Sequence, residues 1–313
     1  MNNLASRFFC VLPARLRNYY YYHMGGSIAF PEVIHIESTN ICNASCIICP
    51  REKLSRKTGI MDFGLFSKII DECVPRKEVK ELHLNGFGEC LLDKKLIEKI
   101  RYAKEKGIRR AYFVTNASLL NDSIARGLVC SGLDSLKISI YGFGKDVYEK
   151  IHKGLDFEAT TGNILNLIKV RKELKSSSPQ IKIQFLPLSD NIEERQKFLD
   201  FWSSKIDKRC NDRVEEFCAH NWVDGRKYNN PVARDGRKSC GFPFFGIQIL
   251  WDGSVALCCY DFNAKLRAGD IKKETISAIW NSSHYNSVRK IHREADFAKL
   301  PLCGQCDQLR EGG

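Results

Sequence analysis

The sequence predicts an α/β fold, in which a partial barrel of six strand–helix units is followed by a small C-terminal α+β unit. Three observations support this prediction. Short apolar runs alternate with longer amphipathic runs from about residue 33, which is typical of a parallel sheet with helical crossovers. The alternation ends at a polar, glycine-containing stretch near residue 221. The segment after it carries a hairpin signal and several of the chain's 14 cysteines.

The predicted strands and helices of the barrel follow one another in regular order. The strands are residues 33–38, 81–85, 111–115, 135–141, 181–188 and 213–219. The helices are residues 63–73, 94–106, 122–130, 158–174 and 192–203. Asn121 and Asn191 directly precede two of these helices and are predicted N-caps. Six units are fewer than the eight of a complete barrel, so we expect a partial one.

The C-terminal unit is predicted from a change of pattern. Residues 246–251 and 254–258 flank an Asp252-Gly253 turn, which indicates a hairpin, and one helix is predicted over residues 274–295. We therefore expect four segments. They are an N-terminal extension (1–30), a barrel core (31–220), a linker (221–239) and a separate cysteine-rich unit (240–313).

Composition and charge limit the classes of function. A hydrophobic content of 43% and a charged content of 27% are typical of a globular protein, and a formal net charge of +12 suits an anionic substrate or partner. The basic residues lack the interleaved aromatic pattern of nucleic-acid modules, so no nucleic-acid partner is expected. No apolar run reaches the length of a membrane span, and no secretion signal is recognisable. We expect a cytoplasmic protein with reduced thiols.

Three cysteines form a C-x3-C-x2-C pattern in the sequence TNICNASCIICPR, directly after the first predicted strand. They are Cys42, Cys46 and Cys49. Barrel enzymes place their chemistry at this carboxyl edge of the strands. A structural zinc site needs four protein ligands, and no cysteine or histidine follows within the next few residues. Three thiolates instead suit a 4Fe–4S cluster with one iron open to a ligand.

This pattern resembles that of the radical S-adenosylmethionine (radical SAM) superfamily, whose partial six-unit barrel carries C-x3-C-x2-C after its first strand. Further motifs support the resemblance: LNGFGE resembles the Gly-Gly-Glu motif that holds the SAM amino group, and VTNAS, SLKISIYG and QFLPL resemble the ends of the third, fourth and fifth strands. The resemblance implies one 4Fe–4S cluster bound by the three cysteines and SAM. The SAM contacts that it implies are Ile48, Gly86, Phe87, Gly88, Glu89, Asn116, Ser139 and Leu186.

Two of these positions are expected to contact adenine, and a third the ribose. Leu186 and Ile48 would make apolar contacts with the adenine. Ile48 stands at a position that is frequently aromatic in the family. Ser139 would reach the ribose hydroxyls. His83 alternates with leucines on the second strand and is predicted to be a hydrogen-bonded barrel residue rather than a base.

A second set of cysteines spans the C-terminal unit. Its members are Cys240, Cys258, Cys303 and Cys306. Four thiolates suit either zinc or an iron–sulfur centre. The layout resembles the twitch form of the SPASM extension of radical SAM enzymes, with a hairpin, a turn at Gly269-Asp270 and a helix containing Ile279-Trp280. This resemblance implies one auxiliary 4Fe–4S cluster bound by all four cysteines.

The adjacent pair Cys258-Cys259 raises the question of which thiol binds the cluster. Neighbouring side chains on a strand point to opposite faces. The twitch resemblance, through the pattern DG-x-V-x-x-C, assigns the first of the pair to the cluster. Cys259 is then expected on the other face, as a packing residue or as a hydrogen donor to a substrate radical.

The resemblance implies that reduction of the cluster cleaves SAM to a 5′-deoxyadenosyl radical, which abstracts a hydrogen atom from a substrate C–H bond. Oxidation or epimerisation of a carbohydrate or cyclitol-type alcohol is the predicted outcome. The alternatives are a peptide-modifying radical SAM-SPASM enzyme and, more distantly, a non-catalytic zinc-binding protein. The expected partners are a small-molecule substrate and an electron donor such as flavodoxin or ferredoxin.

Overall fold

The computed structural model describes residues 28–223, 226 and 240–307. Within these residues nine strands form one sheet in the order β6-β5-β4-β3-β2-β1-β7-β8-β9. The strands are β1 (Val33–Ile36), β2 (Glu81–His83), β3 (Ala111–Thr115), β4 (Ser135–Ser139), β5 (Gln180–Phe185), β6 (Arg213–Glu216), β7 (Gly246–Ile249), β8 (Ser254–Ala256) and β9 (Arg267–Asp270).

The helices of the described residues follow the strands in the alternating order that the sequence predicts. They are α1 (Phe63–Cys73), α2 (Leu96–Glu105), α3 (Asp122–Val129), α4 (Lys145–Ile151), α5 (Phe157–Glu173), α6 (Arg195–Lys205), α7 (Phe242–Phe245), α8 (Ile276–Trp280), α9 (Ser283–Glu294) and α10 (Pro301–Gly304). Short 3-10 turns lie at Arg51–Lys53, Cys90–Leu92, Ile192–Glu194, Lys208–Cys210 and Phe297–Lys299.

The six predicted barrel strands are confirmed, since β1 to β6 pair in parallel and in sequence order. The sheet is open at β6, which agrees with a partial barrel. The predicted cap of α3 is also confirmed, because the Asn121 side chain accepts a hydrogen bond from the Ile124 N–H at 3.0 Å.

Two predictions about helices are wrong, and one helix was missed. The Asn191 side chain does not cap a helix: its Nδ2 donates to the carbonyls of Tyr141 and Leu186, and it thereby joins the ends of β4 and β5. The predicted helix 274–295 is two helices, because Ser282 caps the second one through the Tyr285 N–H. Helix α4 was not predicted, because its seven residues are too few to show a clear period.

The C-terminal unit continues the barrel sheet instead of forming a separate one. The predicted hairpin is confirmed as β7 and β8, but β7 also pairs in parallel with β1 from Val33↔Gly246 to Ile36↔Ile249. The predicted Gly269-Asp270 turn is instead the end of strand β9. All four residues of β7 are buried, so the free edge of β1 is covered by a fully buried strand.

The parallel strands have one apolar and one polar face. The apolar face packs against the helices through Ile34, Ile36, Leu82, Phe113, Leu136, Ile138, Ile181 and Ile183. The opposite face carries His35, His83, Tyr112, Lys137 and Lys182, and register places His35 beside His83 and His83 beside Tyr112. Strands that are buried on both faces have continuous hydrophobic sequences. Here apolar and polar residues alternate along the strands, so the barrel has a polar interior.

No helix within the described residues is both long enough and apolar enough to cross a bilayer. The predicted N-terminal extension, apart from residues 28–30, and most of the predicted linker lie outside the described residues.

Candidate active site

The three cysteines of the first set lie together in the loop that follows β1, at the carboxyl end of the parallel strands. Burial raises the pKa of the Cys42 thiol, and burial together with the neighbouring Cys42 thiolate raises the pKa of Cys46 to about 12. Burial and both other thiolates raise the pKa of Cys49. The mutual effects on these pKa values show that the three thiols lie near enough to interact, as the ligands of one shared metal centre must.

The predicted glycine motif packs directly on this loop. A Cβ atom on Gly88 would lie 2.5 Å from the Ile41 carbonyl oxygen and 2.6 Å from that of Thr39, so only glycine fits. The next residue, Glu89, donates its N–H to the same Ile41 carbonyl at 2.8 Å. A Cβ atom on Gly86 would likewise collide with the Glu37 side chain. The motif after β2 and the cysteine loop after β1 therefore form one rigid unit.

Glu89 and Asn116 connect this unit to the end of β3. The buried Glu89 carboxylate accepts hydrogen bonds from the Thr115 hydroxyl at 2.7 Å and the Asn116 N–H at 2.8 Å, and its burial raises its pKa. The Asn116 side chain in turn donates to Asn43 at 3.1 Å, within the cysteine loop. These contacts fix the geometry of the loop, and a direct SAM contact of either residue stays a prediction.

The two predicted adenine contacts share a small apolar cluster beside the cysteine loop. Leu186 is 1% exposed and packs with Tyr141 and Ile151, and Ile48 packs against the same cluster. The side chain of the predicted ribose contact, Ser139, lies near enough to the Tyr141 phenol to affect its pKa, which burial raises. The described structure thus brings the residues predicted for adenine and ribose to one place.

The second set of cysteines surrounds one enclosed cavity, here called the auxiliary cavity. It is lined by Cys240, Cys258, Cys259, Cys303 and Cys306, together with Val223, Phe242, Pro243, Leu257, Tyr260, Asp261, Leu266, His292 and Leu302. Burial raises the pKa of Cys240 to about 11 and those of Cys259 and Cys303 to about 12. Thiols that converge in an apolar enclosure fit a fully ligated metal–sulfur centre.

The predicted separation of Cys258 and Cys259 onto opposite faces is wrong. Strand β8 ends at Ala256, so both cysteines lie in the turn after it, where the alternation of a strand no longer applies. Both line the auxiliary cavity. Burial is the main cause of the raised pKa of Tyr112, and the charges of Glu81 and Cys259 add to it.

Aromatic contacts join the two cysteine regions. The Phe87 ring of the glycine motif stacks on Phe262 at 4.9 Å between centroids, and Phe262 follows the auxiliary cysteines closely in sequence. Trp222 packs edge-on against Phe87 at 5.3 Å and donates its indole N–H to the Ile48 carbonyl at 2.8 Å. Phe262 and Trp222 were missed from the sequence, because no local pattern distinguishes them from packing residues.

The polar barrel face contains a chain of hydrogen bonds. His83 bonds Glu81 at 2.9 Å on one side and the Tyr112 hydroxyl at 2.9 Å on the other, which confirms it as a hydrogen-bonded barrel residue. The His35 ring lies 4.2 Å from that of His83, and the Lys137 ammonium lies 4.4 Å from the Tyr112 ring centroid. Polar residues alternate with apolar ones in these strands, as in VIHI and SLKIS. This alternation could have revealed the polar face from the sequence.

Comparison with known proteins gives two family matches. The family model described as the radical SAM superfamily matches residues 36–201, and the SPASM model, described as an iron-sulfur cluster-binding domain, matches residues 240–307. A radical SAM domain implies SAM and a 4Fe–4S cluster, and a SPASM domain implies auxiliary iron–sulfur binding. These matches support the expected radical SAM enzyme and rule against the distant alternative of a non-catalytic zinc-binding protein.

Two curated relatives are similar over most of their length. The chain is 21% identical to the tungsten-containing aldehyde ferredoxin oxidoreductase cofactor-modifying protein of Pyrococcus furiosus, over 87% of this chain and 86% of the relative. It is 23% identical to the S-adenosyl-L-methionine-dependent 2-deoxy-scyllo-inosamine dehydrogenase of Niallia circulans, over 88% and 93%.

Solved structures show the same fold at low identity. BtrN in complex with AdoMet and 2-DOIA aligns with a TM-score of 0.61 and 20% identity, covering 89% of this chain and 93% of that chain. Streptococcus suis SuiB bound to its precursor peptide SuiA aligns with a TM-score of 0.65 and 12% identity, covering 84% and 67%.

Proposed function

Because the chain belongs to the radical SAM superfamily, we propose that it oxidises an alcohol carbon of a carbohydrate or cyclitol-type substrate. Epimerisation of such a carbon is the second candidate. The observation that carries the proposal is the auxiliary cavity with its five cysteines, joined to the first cysteine loop by Phe87 and Phe262. The similarity to a cyclitol-type dehydrogenase over 88% of this chain supports the substrate class.

The residues of this chain divide between two centres in the proposal. Cys42, Cys46 and Cys49 hold the SAM-binding cluster, and SAM lies against Ile48, Gly86, Phe87, Gly88, Glu89, Asn116, Ser139 and Leu186. Cys240, Cys258, Cys303 and Cys306 hold the auxiliary cluster. When bound, these groups supply a 5′-deoxyadenosyl radical and an acceptor for one electron. A small electron-transfer protein such as flavodoxin or ferredoxin is the proposed source of reducing electrons.

The polar barrel face suits a hydroxylated substrate. Oxidation of a carbinol removes a hydrogen atom from carbon, then one proton and one electron, so a proton acceptor is needed. The hydrogen-bonded chain of Tyr112, His83 and Glu81 offers one, because Glu81 is about one-third exposed and connects it to solvent. Burial lowers the pKa of His83, so its ring is neutral and free to relay a proton near neutral pH.

The second candidate, epimerisation, depends on Cys259. Quenching of the carbon radical from the opposite side needs a hydrogen-atom donor, and a thiol can supply one. The thiyl radical left behind would then be reduced back to the thiol by one electron, delivered through the auxiliary cluster, and one proton. Five thiols line the auxiliary cavity, whereas four ligands complete a cluster. This spare thiol is the specific observation that favours epimerisation. Peptide modification has weaker support, because the likeness to SuiB concerns the fold alone.

The test is anaerobic turnover with reductant, SAM and cyclitols or sugars that carry deuterium on one carbinol carbon. We expect deuterium in 5′-deoxyadenosine and a ketone product that gains no solvent hydrogen at carbon. The same reaction in deuterated water identifies epimerisation instead, since the epimer would carry one solvent-derived deuterium. A panel that yields neither a ketone nor a solvent-labelled epimer contradicts the proposal.

A matched pair of variants separates the two thiols. Cys258→Ala should lose the auxiliary iron, whereas Cys259→Ala should retain it. If the enzyme is an epimerase, Cys259→Ala should also lose solvent deuterium incorporation while 5′-deoxyadenosine still forms. Loss of auxiliary iron in Cys259→Ala and its retention in Cys258→Ala would reverse the ligand assignment.

A further inference from the structure

A buried histidine lies opposite the middle cysteine of the first set. His152 is 1% exposed and follows α4, the helix that was not predicted. Two backbone hydrogen bonds flank the pair: the N–H of Ser45 donates to the Lys153 carbonyl and the N–H of Ile47 to the Ile151 carbonyl, each at 2.9 Å. This short pairing of two chain segments fixes Cys46 beside His152, with Nδ1 3.4 Å from Sγ.

The backbone decides which ring nitrogen of His152 carries hydrogen. The Tyr141 N–H donates to Nε2 at 3.1 Å, so Nε2 is an acceptor without a proton. In a neutral imidazole the other nitrogen then carries the hydrogen. Nδ1 is therefore the donor in the contact with Cys46, and it is not available as a fourth metal ligand.

Aromatic packing holds the ring in this orientation. The Tyr141 ring is stacked on it at 4.8 Å between centroids and 28°, and the Tyr148 ring at 4.7 Å and 29°. The imidazole cannot turn away from Cys46 without disrupting both stacks and the bond from the Tyr141 N–H. The Nδ1–H group of His152 is thus held in the orientation that points at Sγ of Cys46.

We infer that His152 is a positioning residue that donates an N–H···S hydrogen bond to the Cys46 thiolate and thereby raises the reduction potential of the SAM-binding cluster. The inference rests on the proposed role of Cys46 as a cluster ligand. Reduction adds negative charge to the cluster and its sulfurs, and a hydrogen-bond donor stabilises that charge more in the reduced than in the oxidised form. His152 thus makes the first electron transfer easier.

The first test uses the holoenzyme labelled only with [15N]histidine. The signal of the SAM-binding cluster is identified by its change when SAM is added. Pulsed EPR of the reduced enzyme should show a 15N coupling on this signal. The coupling should disappear in His152→Phe, which keeps an aromatic ring between the two tyrosines but has no donor. A SAM-responsive signal without 15N coupling in the labelled wild-type enzyme would overturn the inference, even if His152→Phe fails to bind iron.

The second test is an EPR-monitored redox titration of the same signal. In His152→Phe we expect the ratio of reduced to oxidised cluster at a fixed potential to fall about tenfold. For a one-electron couple this corresponds to a reduction potential lower by about 59 mV. His152→Gln, which restores an N–H donor, should recover part of the shift. Tyr148→Phe is the matched control, because it keeps the stacked ring and should leave the ratio unchanged. Equal ratios in the wild-type enzyme and His152→Phe would contradict the inference.

A third variant, Cys46→Ala, distinguishes failure of the proposed function from failure of the inference about His152. If Cys46 does not bind a cluster, Cys46→Ala retains the SAM-responsive signal. If only the inference about His152 fails, Cys46→Ala loses that signal while His152→Phe leaves the potential unchanged.

Discussion

The two cysteine regions are built in different ways. Cys42, Cys46 and Cys49 lie in one loop, which is held by backbone hydrogen bonds and by the polar side chains of Glu89 and Asn116. The auxiliary cavity collects its five cysteines from distant parts of residues 240–307 and encloses them mainly with apolar side chains. The cysteines of the first region thus come from a single loop, whereas those of the second are brought together only by the packing of several elements.

This difference corresponds to different chemical tasks. A cluster with an open iron must admit SAM, so its loop needs rigidity together with polar surroundings. A fully ligated cluster needs exclusion of water, which apolar walls provide. Three predictions test this comparison, in order of decreasing expected effect.

The largest effect is expected from Cys42→Ala. Loss of one of only three protein ligands should abolish SAM cleavage and remove the SAM-responsive EPR signal, while about half of the iron remains in the auxiliary centre. Iron analysis, EPR and chromatography of 5′-deoxyadenosine measure these effects. Cys130→Ser, which changes an exposed cysteine, is the control and should behave like the wild-type enzyme. Normal SAM cleavage by Cys42→Ala would remove the first region from the mechanism.

An intermediate effect is expected from Cys303→Ala. The auxiliary iron should be lost and substrate oxidation should fall to background, because no acceptor for the second electron remains. Reductive SAM cleavage should persist, since the first loop shares no ligand with the auxiliary cavity. The proposed reaction predicts a ratio of 5′-deoxyadenosine to ketone close to one in the wild-type enzyme, and this ratio should rise strongly in the variant. An unchanged ratio would show that the auxiliary cavity does not accept the electron.

A smaller effect is expected from Gly88→Ala, which alters the packing of the loop without removing a ligand. Its Cβ atom would collide with the Ile41 and Thr39 carbonyls, so the loop should shift and SAM affinity should fall at least tenfold, about 1.4 kcal/mol. Equilibrium dialysis with the reconstituted enzyme measures the affinity.

The matched control for this substitution is Gly162→Ala. Gly162 lies inside α5 and a Cβ atom there meets nothing within 4 Å, so the change should raise the free energy of unfolding by about 0.5–1 kcal/mol and leave SAM affinity unchanged. Equal SAM affinity of Gly88→Ala and the wild-type enzyme would show that the contact with the loop is not needed.

Much of the barrel could be predicted from the sequence, because the relevant signals are local. The helix Phe63–Cys73 and the strand Ala111–Thr115 match their predicted bounds, since amphipathic periodicity directly reflects burial. Predictions failed where a side chain made a long-range contact instead of a local one. Asn191 bonds the carbonyls of Tyr141 and Leu186 and does not cap a helix, and the strand β7 pairs with β1 far away in sequence.

The sequence by itself determined the cysteine spacing, the glycine motif and the order of strands and helices, because these depend on ligand geometry, steric exclusion and periodicity within short segments. Only the tertiary structure decided that Cys259 lines the auxiliary cavity beside Cys258, that Phe262 stacks on Phe87, and that His152 faces Cys46. Each of these contacts joins segments that are distant in sequence or depends on where a strand ends. Side-chain periodicity does not specify such contacts, since they follow from the packing of whole elements.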